Sequence, residues 1–333
     1  MTTVRAVAAL QGLPISDPAS LVDVEVPVPE LRPRDLLVRV EAVSVNPVDV
    51  KVRSGLGPQE GPRVLGWDAA GTVEAVGAEV DGFAPGDEVW YAGDLTRPGS
   101  NTQLQAVDER VVARKPASLS FAEAAAMPLT TLTAWESLFD RLRLDASSTG
   151  DLAVLGAAGG VGSVLVQLAR LRTGLRVLAG AGKAESREWV TSLGAHAVFD
   201  HHDLAASLGA LAPGGVQALF SAHSEGAVEA YAQVLAPFGH LVVIDDPSSL
   251  DVVPLKAKSI ALHWELMFTR TTFGTPDLAE QGRVLAEAAA LVDAGRLRTT
   301  LRTALDDFSA AGLREAHRLV GTGRTVGKVV VHR

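Results

Sequence analysis

The stretch DLAVLGAAGGVGSVLVQLARL, Asp151 to Leu171, restricts what can surround it more than any other part of the chain. Leu152 to Leu155 is a short apolar run that reads as a buried strand, and Val161 to Leu171 carries apolar residues at helical spacing. The glycines lie between the two. Gly156, Gly159, Gly160 and Gly162 remove side chains that would hold a ligand away from the backbone, and the N–H groups that open the helix offer a phosphate site. In the G-x-G-x-x-G fingerprint Ala157 takes the first glycine place, Gly159 the second and Gly162 the third, with Gly160 and Val161 completing the turn. A strand enters and a helix leaves, so the segment is predicted to bind a dinucleotide.

The rest of the chain is read outward from this turn. At 333 residues it is long enough for two domains. Up to about Pro116 the apolar runs are short and β-like, with Pro and Gly at the turn positions, as in PVPELRPRD and GFAPGDE. That spacing fits a partly open barrel. From Ser118 to Leu142 the period becomes helical, opened by Ser120 with Glu123 three residues on as a capping box. After Asp151 six strand-like runs alternate with helices, ending at SIALHWELM, which predicts a doubly wound parallel sheet. One long alanine-rich helix is expected from about Thr275 to Leu297, then a helix AAGLREAHRLV and a strand GKVVVHR that return to the first domain. The fold class is α/β, with domains at 1–125 and 126–274 and a returning segment at 275–333.

Charge and cysteine content narrow the function. A net charge of -9 argues against nucleic acid as a partner, since a phosphate-tracking surface needs a basic excess. Without cysteine there are no disulfides and no thiolate metal ligands. No run approaches the roughly 18 apolar residues that span a bilayer, and MTTVRAVAAL reads as a first strand and not a signal peptide. A cytoplasmic protein with no membrane partner is expected.

Six motifs then stand in a telling order: VEAVSVNPVDVKVRSG, VLGWDAAGTVEAVG, PGDEVWYAG, LTTLTAWESLFDRL, GAAGGVGSVLVQLAR and GRTVGKVVV. Together they resemble the medium-chain dehydrogenase/reductase superfamily over essentially the whole chain. More narrowly the chain is similar to the zinc-independent quinone oxidoreductase branch, and through GWDAAG, GDEVWYAGD, IDDP and LHWELMFTR to a subgroup labelled zinc-type alcohol dehydrogenase-like. The resemblance implies a GroES-like catalytic domain, a Rossmann domain and a homodimer. In zinc-using relatives a Cys stands at the place of Asn46, a His at that of Trp67 and a further Cys near Ala126 to Thr130. None is present, so no metal is expected. His201 and His202 are adjacent and point apart if they lie on a strand.

The second strand of such a domain ends in an Asp or Glu where NAD is preferred. Here Ala179 to Ala181, around Gly180, holds no carboxylate, while Lys183 and, a turn later, Arg187 suit a 2′-phosphate, so NADPH is expected. By resemblance Asn46 faces the substrate, Asp49 orients it or a nearby loop, and Trp67 lines the same place. The alternatives are a capped turn for NPVD and a core role for Trp67. Thr130 is either near the nicotinamide carboxamide or ribose or an ordinary helix-interior residue. His263 is a proton donor or a structural histidine, and Lys328 either reaches the cofactor or caps the last strand. Lys51 stands where several quinone reductases have Tyr. The expected activity is NADPH-dependent, zinc-independent hydride transfer to small quinones or activated alkenes and carbonyls. A metal-free alcohol or aldehyde oxidoreductase and a catalytically silent, crystallin-like cofactor-binding protein are the alternatives.

Overall fold

A computed structural model describes residues 2–333. The chain divides into two compact units, one running up to Leu132 and resuming at Phe268–Arg333, the other Thr133–Met267. The changeovers fall at 132/133 and 267/268 in place of the expected 125/126 and 274/275. Among the described residues no helix is long and apolar enough to cross a membrane.

The first segment alternates buried and exposed residues, as half-covered strands do. It supplies β1 (Thr3–Ala9), β2 (Val22–Pro27), β3 (Asp35–Val45), α1 (Pro47–Gly55), β4 (Arg63–Val64), β5 (Ala69–Val76), β6 (Glu88–Tyr91), β7 (Leu104–Asp108), β8 (Val112–Arg114), α2 (Phe121–Ala125) and α3 (Pro128–Trp135). The capping box that opens α2 forms as the sequence predicts, with the Glu123 N–H donating to Ser120 Oγ and the Ser120 N–H to Glu123 Oε2. The NPVD stretch is not a turn but the start of α1. Pro47 takes the first helical position, where a missing N–H costs nothing, and Asp49 accepts the Asn46 N–H at 2.7 Å.

The middle segment supplies β9 (Asp151–Val154), α4 (Gly160–Arg172), β10 (Arg176–Gly180), α5 (Ala184–Ser192), β11 (Ala197–Phe199), α6 (Leu204–Leu211), β12 (Val216–Ser221), α7 (Val228–Val234), β13 (Leu235–Val243) and β14 (Ala261–Trp264). Its six strands form the predicted parallel sheet, ordered β11-β10-β9-β12-β13-β14. The strand order reverses at β9, so the glycine turn that follows β9 sits at the switch point where such sheets bind ligands.

The last segment adds α8 (Thr269–Phe273), α9 (Glu280–Asp293), β15 (Leu301–Leu305), α10 (Ala310–Gly321) and β16 (Lys328–His332). The single helix expected from Thr275 to Leu297 is thus shorter, and a separate α8 precedes it. Gly274 at φ +56° closes α8 in the left-handed conformation, and Pro276 follows. The sheet of the first unit is ordered β15-β16-β3-β5-β6-β8, with β7 also on β3, and a smaller sheet is ordered β2-β1-β4. Strand β3 is its hub, paired with β5, β7 and β16. The register that sets Val329 opposite Val45 brings Lys328 beside Asn46, and β5 starts directly after Asp68.

One buried histidine makes this unit acid-sensitive. His317 on α10 is 1% exposed with no partner for either ring nitrogen, and burial, reinforced by Arg53, pushes its pKa down to about 3. Above pH 6.5 the imidazole is neutral folded or unfolded and contributes nothing. Below that the unfolded chain takes a proton that the folded chain refuses, so stability falls as the pH drops toward 3. Between pH 7 and 5 the loss expected from this residue is about 2 kcal/mol. His317→Leu should flatten that stretch of the pH–stability curve in urea melts, whereas an unchanged slope would contradict the assignment.

Candidate functional site

In the unit Thr133–Met267 the site begins at the turn after β9. Gly156 has φ +68°, so the sharp turn is made one residue before the place that Ala157 fills in the fingerprint. The Gly156 carbonyl accepts the Gly159 N–H at 3.0 Å, and Gly159 then opens α4 with no side chain capping it. Gly160 and Val161 begin the helix, whose first N–H groups have no capping side chain to bond. At Gly162 a Cβ would meet Gly156 O at 2.4 Å and Ala157 Cα at 2.6 Å, so only glycine lets α4 pack against the turn. A dinucleotide fits these features: a bare loop, a helix N-terminus and a close approach that side chains would block.

The carboxyl end of β10 carries the basic residues. Gly180 serves packing, since a Cβ there would meet Phe199 at 3.0 Å and Val154 O at 3.2 Å. Lys183 is exposed at the start of α5, where its N–H donates to Ser186 Oγ at 3.2 Å, and Arg187 follows one turn on. His201 and His202 belong here too. They do not point apart, because β11 ends at Phe199 and both lie on the turn beyond it, with ring centroids 4.1 Å apart. A Cβ on Gly182 would meet His201 Cε1 at 3.2 Å. With Asp200 they bring three potential metal-ligand atoms within 4.8 Å of one another, on consecutive residues of a mostly exposed turn. Burial and the neighbouring His202 lower the His201 pKa. Sequence spacing misses this pair because the strand stops at Phe199, before either histidine.

His263 is placed differently from its expected role. It lies on β14, the edge strand, and its Nε2 is 3.0 Å from His240 Nδ1 on β13, with the rings stacked. Burial, then His240, Arg141 and Arg143, hold its pKa below the usual imidazole value. The ring is engaged with another histidine and is a poor proton donor at neutral pH.

In the other unit Asn46, Asp49, Trp67, Asp68 and Lys328 are all buried. Lys328 Nζ donates to Asn46 Oδ1 at 2.5 Å and to Val45 O at 3.2 Å, and it lies 3.2 Å from Asp68 Oδ2. Asn46 Nδ2 donates to Asp68 Oδ2 at 3.1 Å and to Ser44 O at 3.4 Å. Asp68 Oδ1 accepts the Leu129 N–H at 3.1 Å. Both amide hydrogens of Asn46 are therefore committed within this cluster. The Lys328 ammonium, expected to reach the cofactor, is equally committed.

Burial sets the electrostatics of this cluster. It pushes the Asp49 carboxyl up to about 7, against the Asn46 N–H and Lys328, with Asp68 adding to the rise. It likewise raises Asp68 and lowers Lys328, while the attraction between those two works against both shifts. Trp67 donates its indole N–H to Asp94 O at 3.1 Å and meets Phe268 edge to face, 6.4 Å between centroids. Of its two readings the structure places it in the core. Thr130 Oγ1 donates back to Met127 O at 3.0 Å, an ordinary bond within a helix turn. Beside it the fully buried hydroxyl of Thr131 has no protein partner.

Residues 32–134 match the family described as alcohol dehydrogenase GroES-like domain, and residues 193–331 match zinc-binding dehydrogenase. A zinc-type alcohol dehydrogenase-like protein of Staphylococcus aureus is 36% identical over 305 residues, 90% of each chain. The 2-methylene-furan-3-one reductase of Solanum lycopersicum is 31% identical over 92% of this chain and 74% of its own. The chain belongs to the medium-chain dehydrogenase/reductase superfamily. It is an oxidoreductase of that superfamily. A solved Rhizobium etli protein, described as a candidate zinc-dependent alcohol dehydrogenase, superposes with TM-score 0.96 at 49% identity, covering 100% of this chain and 99% of its own. A mycobacterial protein solved with NADPH follows at TM-score 0.84 and 26% identity, covering 99% and 100%.

The zinc in those names does not fit the residues here. An amide with both hydrogens engaged, an indole and an ammonium cannot make the N/S shell of a catalytic zinc, and there is no cysteine to complete it.

Proposed function

We propose that this superfamily member is an NADPH-dependent reductase of quinones or activated alkenes and carbonyls that works without a metal. The observation that carries the cofactor choice is the end of β10, where Ala179 to Ala181 offer no carboxylate and Lys183 and Arg187 follow on α5. Two charge-assisted contacts of that kind favour the doubly charged 2′-phosphate over a bare hydroxyl. The NADPH bound by the mycobacterial structure and the name of the tomato reductase support the same reading.

When bound, NADPH supplies the hydride. The residues 156–162 seat its pyrophosphate against the start of α4, and Lys183 and Arg187 hold its 2′-phosphate. A conjugated carbonyl or quinone is already polarised, so its reduction asks for no Lewis acid. An unactivated alcohol needs one to stabilise the alkoxide, and the residues around Asn46 do not supply it. Lys328 and Asp68 act inside the fold to position Asn46 and the segment from Trp67. By the superfamily's habit the protein is a homodimer, which sedimentation would check.

Titrations with NADPH and NADH, followed by protein fluorescence, test the cofactor assignment. NADPH should bind at least about tenfold tighter, roughly 1.4 kcal/mol. Lys183→Ala combined with Arg187→Ala should bring the two affinities together while NADH binding holds. Tighter NADH binding in the wild type would defeat the assignment. A substrate panel separates the activities: turnover confined to quinones and enones supports the reading, equal rates on simple carbonyls favour the aldehyde reductase, and binding without turnover favours the silent protein.

A further inference from the structure

We propose that the turn beyond β11 is a binding site for one borderline divalent cation of the Zn2+ kind, held by Asp200, His201 and His202. The proposal adds nothing to the hydride transfer and does not depend on which nicotinamide or substrate the protein uses.

The geometry comes first. One ligand atom from each of the three residues lies within 4.8 Å of the other two, and the imidazoles are tilted against each other with ring centroids 4.1 Å apart. Two donors held at about 2.0–2.1 Å by a tetrahedral zinc stand roughly 3.3 Å apart, so a separation of 4.8 Å has to close by about 1.5 Å. Both histidines are exposed, which leaves that side-chain rotation free. Gly182 opposite them is bare, where a Cβ would come within 3.2 Å of His201 Cε1 and 3.6 Å of His202 Nε2.

The donors are also uncommitted. His196 spends a ring nitrogen on the Val177 N–H at 2.8 Å, and His240 and His263 spend theirs on each other at 3.0 Å. No ring nitrogen of His201 or His202 has a hydrogen-bond partner among the described residues. Asp200 Oδ1 accepts the His202 N–H at 3.0 Å, which leaves Oδ2 for an ion. The main chain that carries the three is braced on both sides: Asp200 follows β11 directly, its carbonyl accepts Ser207 Oγ at 2.7 Å, and Asp203 Oδ1 caps α6 through the Ala206 N–H at 3.1 Å. Binding therefore costs side-chain rotation and little backbone order. Two imidazoles and a carboxylate suit Zn2+, with a fourth position left to water, whereas Mg2+ and Ca2+ prefer oxygen donors throughout.

Zn2+ alone is the probe, titrated calorimetrically into the full chain in a buffer free of phosphate and chelators. The wild type should take up one Zn2+ per chain, and an excess of Mg2+ should displace none of it. His201→Ala and His202→Ala should each weaken binding by at least about tenfold, the loss that even a group standing behind a metal ligand brings. The double variant should lose it. Asp200→Asn keeps an acceptor for the His202 N–H, so weaker binding there identifies the carboxylate as a ligand and unchanged binding overturns the three-ligand site. Zn2+ should also raise the melting temperature of the wild type and leave that of the double variant where it was. The proposal fails if the wild type takes up no Zn2+, or if the folded double variant binds it as the wild type does.

Discussion

Gly162→Val is expected to abolish dinucleotide binding and to destabilise the unit that carries it. The added Cβ meets Gly156 O and Ala157 Cα, both main-chain atoms, at 2.4 and 2.6 Å, so no rotamer change relieves the clash. Either α4 moves off the turn or Gly156 leaves its φ of +68°, and both distort the phosphate seat. Overpacking of this kind costs about 1–3 kcal/mol, and the loss of binding should exceed tenfold for NADPH and NADH alike. Gly159→Ala is the comparison. Its Cβ would lie 3.3 Å from Gly156 O, tight but not prohibitive, so the protein should melt close to wild type while the new methyl at the mouth of α4 weakens the cofactor. Melting temperatures and titrations on the two variants separate fold from binding. Wild-type affinity in folded Gly162→Val would show that the dinucleotide does not use this turn.

The second large effect lies in the other unit. Asp68→Leu strips the counter-ion from the Lys328 ammonium and removes the carboxylate that accepts the Leu129 N–H and one hydrogen of Asn46. A buried charge left unpaired costs about 3–5 kcal/mol, which for a unit of ordinary stability approaches full unfolding. Adding Lys328→Met should return roughly half of that, because the charge leaves with its partner while the two hydrogen bonds lost with the carboxylate still cost about 1–3 kcal/mol between them. Urea melts of the wild type, both single variants and the double variant close the cycle. Additive losses would mean that the two side chains are not coupled and that the 3.2 Å contact contributes nothing to stability.

How much of this was legible beforehand depended on distance along the chain. The turn at 156–162 and the six strands of the parallel sheet are local patterns, and both appear where the periodicity places them. Ser120 and Glu123 stand three apart, and their capping box forms. Strands β7 and β15 went unread because LQAVD and LRTAL are five residues each, half-exposed, and acquire strand character only from distant partners, β3 and β16. Gly274 and Pro276 gave a local warning that the helix expected from Thr275 begins later. The buried cluster of Asn46, Asp68 and Lys328 was the least visible part. Asn46 and Lys328 are 282 positions apart, and no spacing rule connects them. Only the pairing of β16 with β3 does so, which is why Lys328 read as a cofactor residue or a strand cap, and Asn46 as a group free to meet substrate. The two histidines lie together for a smaller reason, because β11 ends at Phe199 and leaves both on the turn beyond it.

The first unit is assembled from both ends of the chain, and this matters while the protein is being made. On the ribosome β3, α1 and β5 emerge early together with the flanking Asn46 and Asp68, whereas Lys328 emerges only with β16. The middle unit is contiguous and has all its strands to hand once residue 267 has left the exit tunnel. The seven-stranded sheet must wait for β16, and until then β3 lacks that neighbour and an acidic cluster lacks its counter-charge. Nascent chains stalled before β16 should therefore hold a finished middle unit and an unfinished first unit, and deleting residues 328–333 removes the strand that pairs with β3 from far along the chain.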